Sequence, residues 1–158
     1  MPEHNGALKY HGRVVILVSR YHELVTSRLL EGALQCCREA RVPDDDLDVI
    51  WVPGAWELGT TAMLMATEDV SCIIALGAVV RGETAHFEYV AGETARVLAD
   101  IAVREMVPVG FGLLTTDTLE QALARAGGSA GNKGYEAAEA ALRTADLYAQ
   151  LLSDDGEG

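Results

Sequence analysis

The sequence is short of cysteine, aromatic residues, basic charge and long apolar runs, and most of these shortages exclude a class of protein. Cys36, Cys37 and Cys72 form an odd set with two members adjacent inside a helical pattern. That arrangement fits reduced, buried thiols rather than a disulfide framework or a metal site. The four histidines, His4, His11, His22 and His86, are scattered without ligand spacing, so no metal is expected. The longest stretches without a charged residue, Val70–Val80 and residues 106–116, fall short of the roughly 18 apolar residues of a membrane span. The opening MPEHNGALKYHG has no apolar signal-peptide core, and a cytoplasmic protein is expected. Twelve basic residues stand against 24 acidic ones, a net charge of −12, which disfavours nucleic acid and anionic membranes as partners. Ser-His-Asp spacing, a Walker loop and a dinucleotide glycine motif are all missing.

What is present describes one soluble domain. The chain has 158 residues, 49% hydrophobic and 23% charged, and a chain of this size can bury about 70% of its unfolded surface without a staple. Apolar, β-branched runs at 13–19, 47–53, 71–80 and 108–114 alternate with helical patterns at 24–40, 55–67 and 86–105. Near-continuous apolar strands, each followed by a helix, predict a parallel sheet covered on both faces. Two further helices close the chain. Thr118 and Gln121 form a capping box for the first, with Gly127 and Gly128 at its end, and Asn132 caps the second. The expectation is a three-layer α/β/α flavodoxin-like sandwich with a four-stranded parallel sheet. Residues 1–12 are read as an N-terminal arm whose stretch 5–11 can add an edge strand to a neighbour's sheet, 13–151 as the core, and 153–158 as a frayed tail.

Ligands of open α/β sheets bind outside the carboxyl ends of the strands. Those ends are Ser19-Arg20-Tyr21-His22, Gly54-Ala55-Trp56-Glu57, the run from Arg81 through Gly82, Glu83, Thr84 and Ala85 to His86, and Thr115-Thr116-Asp117. In the third, Gly82 permits a tight turn and Thr84 can cap a helix starting near His86. Backbone N–H groups of Glu83 and Thr84 then offer an anion site. His86 falls in the first helical turn, where the dipole disfavours imidazolium, so a neutral ring suited to proton transfer is expected. A solvated loop histidine is an equal reading. Lys133 would occupy the positive end of the last helix, where a bound anion would compensate it; tolerance at an exposed site is the simpler account. Arg125, in the last turn of the preceding helix, and Glu57, in a first turn, are both explained by the helix dipole alone. Tyr21 and Trp56 serve either packing or stacking on a planar ring, and Phe111, inside the fourth strand, reads as core.

Four segments in order resemble the lumazine synthase family: WVPGAWE at 51–57, LGAVVRGETAHF at 76–87, FGLLTT at 111–116, and EQA through RAG to GNKG between 120 and 134. The resemblance runs from about residue 13 to 151. It implies condensation of 5-amino-6-ribitylaminouracil with 3,4-dihydroxy-2-butanone 4-phosphate, without cofactor or metal. By the same resemblance His86 relays protons and Tyr21 stacks on the pyrimidine. His22, Ala55, Trp56 and Glu57 lie near the ribityl chain, and Val79, Val80 and Arg81 line the pyrimidine pocket. Glu83, Thr84 and Arg125 hold the phosphate, while Phe111, Arg125 and Lys133 come from an adjacent subunit. The family forms pentamers or hollow shells of twelve pentamers, and the short loop 127–134 resembles the shell-forming members. Riboflavin synthase is an expected partner. Tyr21 stands where Phe or Trp is more frequent, Glu88 where Asp is, and Ala78 where Thr is. The alternatives are a non-catalytic flavin-binding module or a shell-forming paralogue; against the former, Arg20-Tyr21-His22-Glu23 is not a Ser/Thr-rich phosphate loop.

Overall fold

The computed structural model describes residues 1–156. Strand β1 (Arg13–Ser19) is followed by helix α1 (Glu23–Glu39), β2 (Leu47–Val52), α2 (Leu58–Met65), β3 (Val70–Val80), α3 (His86–Glu105) and β4 (Val109–Thr116). A short helix α4 (Leu119–Ala124), a small hairpin β5–β6 (Ala126–Gly128 and Gly131–Asn132) and a long helix α5 (Lys133–Gly156) complete the chain. The four long strands form one parallel sheet in the order β2-β1-β3-β4. This is the expected flavodoxin-like sandwich.

Alternation along β1 explains the two layers around the sheet. Val14, Ile16 and Val18 face the cluster built by α1 and α5, whereas Val15 and Leu17 face that built by α2 and α3. Full burial of such side chains contributes roughly 1.5–3 kcal/mol each. On α1 the buried residues Val25, Leu29, Ala33, Cys36 and Cys37 recur at helical spacing. On α5, Ala137, Ala138, Ala141 and Ala145 present a smooth face that lets the helix lie close to the sheet. Gly110 matters there, because a Cβ would run into the Ala137 carbonyl. Gly134 allows the same closeness between α5 and the Leu29 backbone of α1. All three cysteines are buried and free. Burial pushes the Cys36 and Cys72 thiols up to about 12 and Cys37 to about 11.

Several boundaries differ from expectation. Helix α4 ends at Ala124, and Gly127 and Gly128 belong to the hairpin instead of terminating the helix. Positive φ at Gly127 and Gly131 gives the hairpin its tight reversal. The capping box is present: Thr118 Oγ1 accepts from the Gln121 N–H at 3.1 Å, and Gln121 Oε1 accepts from the Thr118 N–H at 3.3 Å. Asn132 caps α5, its Oδ1 accepting from the N–H groups of Gly134 (2.8 Å) and Tyr135 (3.0 Å). Residues 5–11 add no strand to the chain's own sheet. They lie along α5, where Asp146 Oδ2 accepts from the Ala7 N–H at 2.7 Å and Gln150 Nε2 donates to the Asn5 carbonyl at 2.8 Å. Of the tail expected to fray, 153–156 continue α5; Glu157 and Gly158 lie outside the described residues.

Candidate functional site

The strand order places β1 between β2 and β3, so chain connections leave β1 and β3 on opposite sides and open a crevice at the carboxyl ends. Backbone bonds run past the strand ends and fix its walls. Arg20 N–H donates to the Val52 carbonyl (2.8 Å), Tyr21 N–H to Pro53 (3.0 Å) and Arg81 N–H to Thr116 (2.8 Å). A cleft of about 540 Å³ lies here, of a size for a small planar molecule. Tyr21 and His22 line it from β1, Gly54, Ala55 and Trp56 from β2, and Ala78 to Gly82 with Thr84 and His86 from β3.

Each wall has a local cause. Gly54 begins a single 3-10 turn, in which the Glu57 carboxylate accepts from the Gly54 N–H at 3.0 Å. Glu57 therefore braces the wall without lining the cleft, and Trp56 beside it is 60% exposed. Tyr21, 69% exposed, meets the His22 ring edge-on at 4.6 Å between centroids. Large aromatics left this open are available for stacking on a flat ligand. His22 takes the left-handed conformation (φ 59°, ψ 48°) at the start of α1, an uncommon backbone for a residue with a Cβ. Burial lowers its pKa, which favours the neutral ring.

At the third strand end, α3 begins at His86 with Ala85, not Thr84, in the capping position and no side-chain cap. Thr84 Oγ1 instead accepts from the His86 N–H at a long 3.4 Å. Glu83 lies in an adjoining hollow with Thr84 and Ala85. Among the described residues, Arg81 is the one arginine or lysine lining the cleft. Phe87, Val90 and Ala78 also line it; sequence reasoning missed them as site residues, although the helical spacing of His86, Phe87 and Val90 was visible. Among the described residues, no group of three or more His, Cys, Asp or Glu side chains is placed to hold a metal ion.

Three expected site residues lie elsewhere. Phe111 is not core but 52% exposed, on a groove between β4 and α3 lined by Ala95, Leu98, Ala99, Ala102 and Val109. The edge strand β4 has no neighbour on that side, so an apolar side chain inside a strand reaches the surface. Arg125 and Lys133 are brought together by the hairpin, the Lys133 N–H donating to the Arg125 carbonyl at 2.8 Å, but neither lines the cleft. Arg125 Nη1 donates to the Gln121 carbonyl at the end of α4 (3.0 Å), as the helix dipole favours. Lys133 Nζ pairs with the Glu136 carboxylate at 3.2 Å.

A parallel α/β sandwich with an aromatic-rimmed cleft at its topological crossing, and a histidine opening the adjacent helix, defines a small-molecule enzyme of the flavodoxin-like class. Residues 11–149 match the sequence profile of 6,7-dimethyl-8-ribityllumazine synthase. A protein of that name from Gemmatimonas aurantiaca is 48% identical over 164 aligned residues, covering 99% of this chain and 100% of the relative. The chain belongs to the 6,7-dimethyl-8-ribityllumazine synthase family and is a transferase of riboflavin biosynthesis.

Proposed function

We propose that the cleft condenses 5-amino-6-ribitylaminouracil with 3,4-dihydroxy-2-butanone 4-phosphate, and that each working site is completed by an adjacent subunit. The amine attacks the ketone to form an imine with loss of water, phosphate is eliminated, and ring closure releases a second water. The reaction needs no cofactor or metal. Tyr21 stacks on the pyrimidine, Val79, Val80 and Arg81 line its edge, and His22, Ala55 and Trp56 flank the ribityl chain, with Glu57 bracing the wall behind them. Glu83 and Thr84 hold the phosphate from this subunit, and Arg125 of a neighbour supplies the opposing charge. Phe111 and Lys133 of that neighbour close the remaining side. Holding two substrates together is chiefly proximity catalysis, to which His86 adds proton transfer.

The observation that carries this reading is a division of residues. The cleft collects aromatic and backbone groups with His86, yet Arg81, its one arginine or lysine among the described residues, is tied to two carboxylates. Arg125, Lys133 and Phe111 stand on other surfaces of the same chain. Two half-sites on one chain fit a head-to-tail ring of identical subunits. We place the enzyme in the cytoplasm, as pentamers that build a shell of twelve. Light scattering separates a pentamer of roughly 85 kDa from a shell of roughly 1 MDa, five and sixty times the 16.9 kDa chain. A monomer refutes the shared site. Riboflavin synthase, which would consume the product, is a partner to test by co-purification.

Product absorbance on mixing the two substrates tests the reaction itself. The shared site has its own test. When His86→Ala and Arg125→Ala chains are co-assembled, roughly a quarter of sites should regain both groups if they come from different subunits. No recovery in mixed assemblies would place both groups on one chain.

A further inference from the structure

Arg81 is placed where a cation would be expected to meet an anionic substrate, but its guanidinium is already committed. Its Nε donates to Asp117 Oδ1 at 2.9 Å and its Nη1 to the Glu88 carboxylate. The guanidinium carbon also lies 4.4 Å from the centre of the Phe87 ring. Asp117 is held in turn, its N–H donating to Gln121 Oε1 at 2.9 Å within the cap of α4. Phe87 and Glu88 directly follow His86 in the first turn of α3. The side chain of Arg81 therefore ties the beginning of the 81–88 segment to its end and anchors both to β4. Phe87 also packs against the core and the Arg81 N–H donates to the Thr116 carbonyl, but side-chain hydrogen bonds within the turn are few. Gly82 has open space around it, α3 has no side-chain cap, and the Thr84 contact to the His86 N–H is long.

We infer that Asp117 and Arg81 are positioning residues for His86, the Asp117–Arg81–Glu88 brace fixing where the first turn of α3 presents the imidazole to the cleft. This rests on the reading of His86 as the proton-relay group. The three charged side chains are about half exposed or more, so their pairing contributes little to folding stability. Placement is different, because a displacement of about 1 Å in a reacting group can slow turnover by as much as about 100-fold. Arginine suits the task since its planar fork can meet two carboxylates while covering an aromatic face, which a lysine ammonium cannot do.

The test is a mutant cycle on the assembled full-length enzyme, measuring kcat and KM for both substrates. Asp117→Asn is expected to lower kcat about tenfold, with KM for the phosphorylated substrate changed less than about twofold and the melting temperature nearly unmoved. Arg81→Gln should do the same, and Arg81→Lys should not rescue it. In a His86→Ala background, Asp117→Asn should lower kcat no further, because its effect acts through that ring. A further drop there overturns the brace while leaving His86 its role. Unchanged kcat in His86→Ala overturns both. Wild-type kcat in Asp117→Asn overturns the brace, as does a KM for the phosphorylated substrate that rises in Arg81→Gln and falls in Asp117→Asn. The last pattern would make Arg81 a direct anion contact. Should Arg81→Gln fail to fold, the exposed Asp117→Asn carries the test alone.

Discussion

Replacing Asp146 by asparagine removes the charge that holds the N-terminal arm to α5. Asp146 is only 4% exposed, and a carboxylate so placed must be fully hydrogen-bonded to be tolerated. It accepts from the Ala7 N–H at 2.7 Å and from Gln150 Nε2 at 2.8 Å, and pairs with His11 Nε2 at 2.5 Å. The Ala7 N–H above all, then His11, hold its pKa at about 2, against an ordinary 3.8. At about 1.4 kcal/mol for each tenfold change in proton affinity, the ionised form stabilises the fold by about 2 kcal/mol. The folded-state pKa is the lower one, so this stability is complete above pH about 4 and is lost as pH falls towards 2. Asp146→Asn should therefore melt about 4–8 °C lower at pH 7, with the gap narrowing below pH about 4 and closing near pH 2. Amide exchange at residues 5–11 should quicken in parallel. Calorimetry across this pH range is the measurement. An equal gap at pH 7 and pH 2 would mean that shape, not charge, accounts for the loss. Unchanged melting and unchanged exchange would mean that the arm is held by something else.

Other expectations follow from single contacts. Arg125→Ala should raise KM for the phosphorylated substrate by about 10- to 100-fold, since a charge-assisted phosphate contact is lost; an unchanged KM refutes the phosphate role. Tyr21→Phe should be nearly silent, whereas Tyr21→Ala should weaken binding of the pyrimidine substrate about three- to tenfold by calorimetric titration, the scale of one stacking contact. Gly110→Ala should destabilise the protein by about 2 kcal/mol or more in denaturant unfolding, because the Ala137 carbonyl occupies the Cβ position. Cys36, Cys37 and Cys72, buried and held as thiols well above neutral pH, should react with a thiol reagent only on unfolding. Fast labelling of the native protein would contradict their burial.

How far the sequence could be read depended on the range of the interaction. The capping box of Thr118 and Gln121 and the Asn132 cap were legible because their partners lie within three residues. The cleft was legible in outline, since strand ends of a parallel sheet converge by topology. Phe111 was misread as core because periodicity shows that a residue is in a strand but not whether the strand is an edge. The packing of the arm on α5 was not legible because Ala7 meets Asp146 139 positions away. The brace of Arg81 was likewise out of reach: Asp117 is a neighbour only through the β3–β4 register.

The sequence by itself determined the alternation of strands and helices, the helix caps, and the set of polar and aromatic residues at strand ends. Hydrophobic periodicity and local hydrogen bonds act over a few residues, and they are written into the order of side chains. Only the tertiary structure decided which strand became the edge, how Glu136 came to pair with Lys133, and that Arg81 is committed to Asp117 and Glu88. It also decided that Arg125 and Lys133 stand together and away from the cleft on their own chain. The physical reason is that close packing and ion pairing depend on distances in space, which sequence separation does not specify. The same alternating pattern would be written whichever strand lay outermost, and the edge is settled when the sheet assembles.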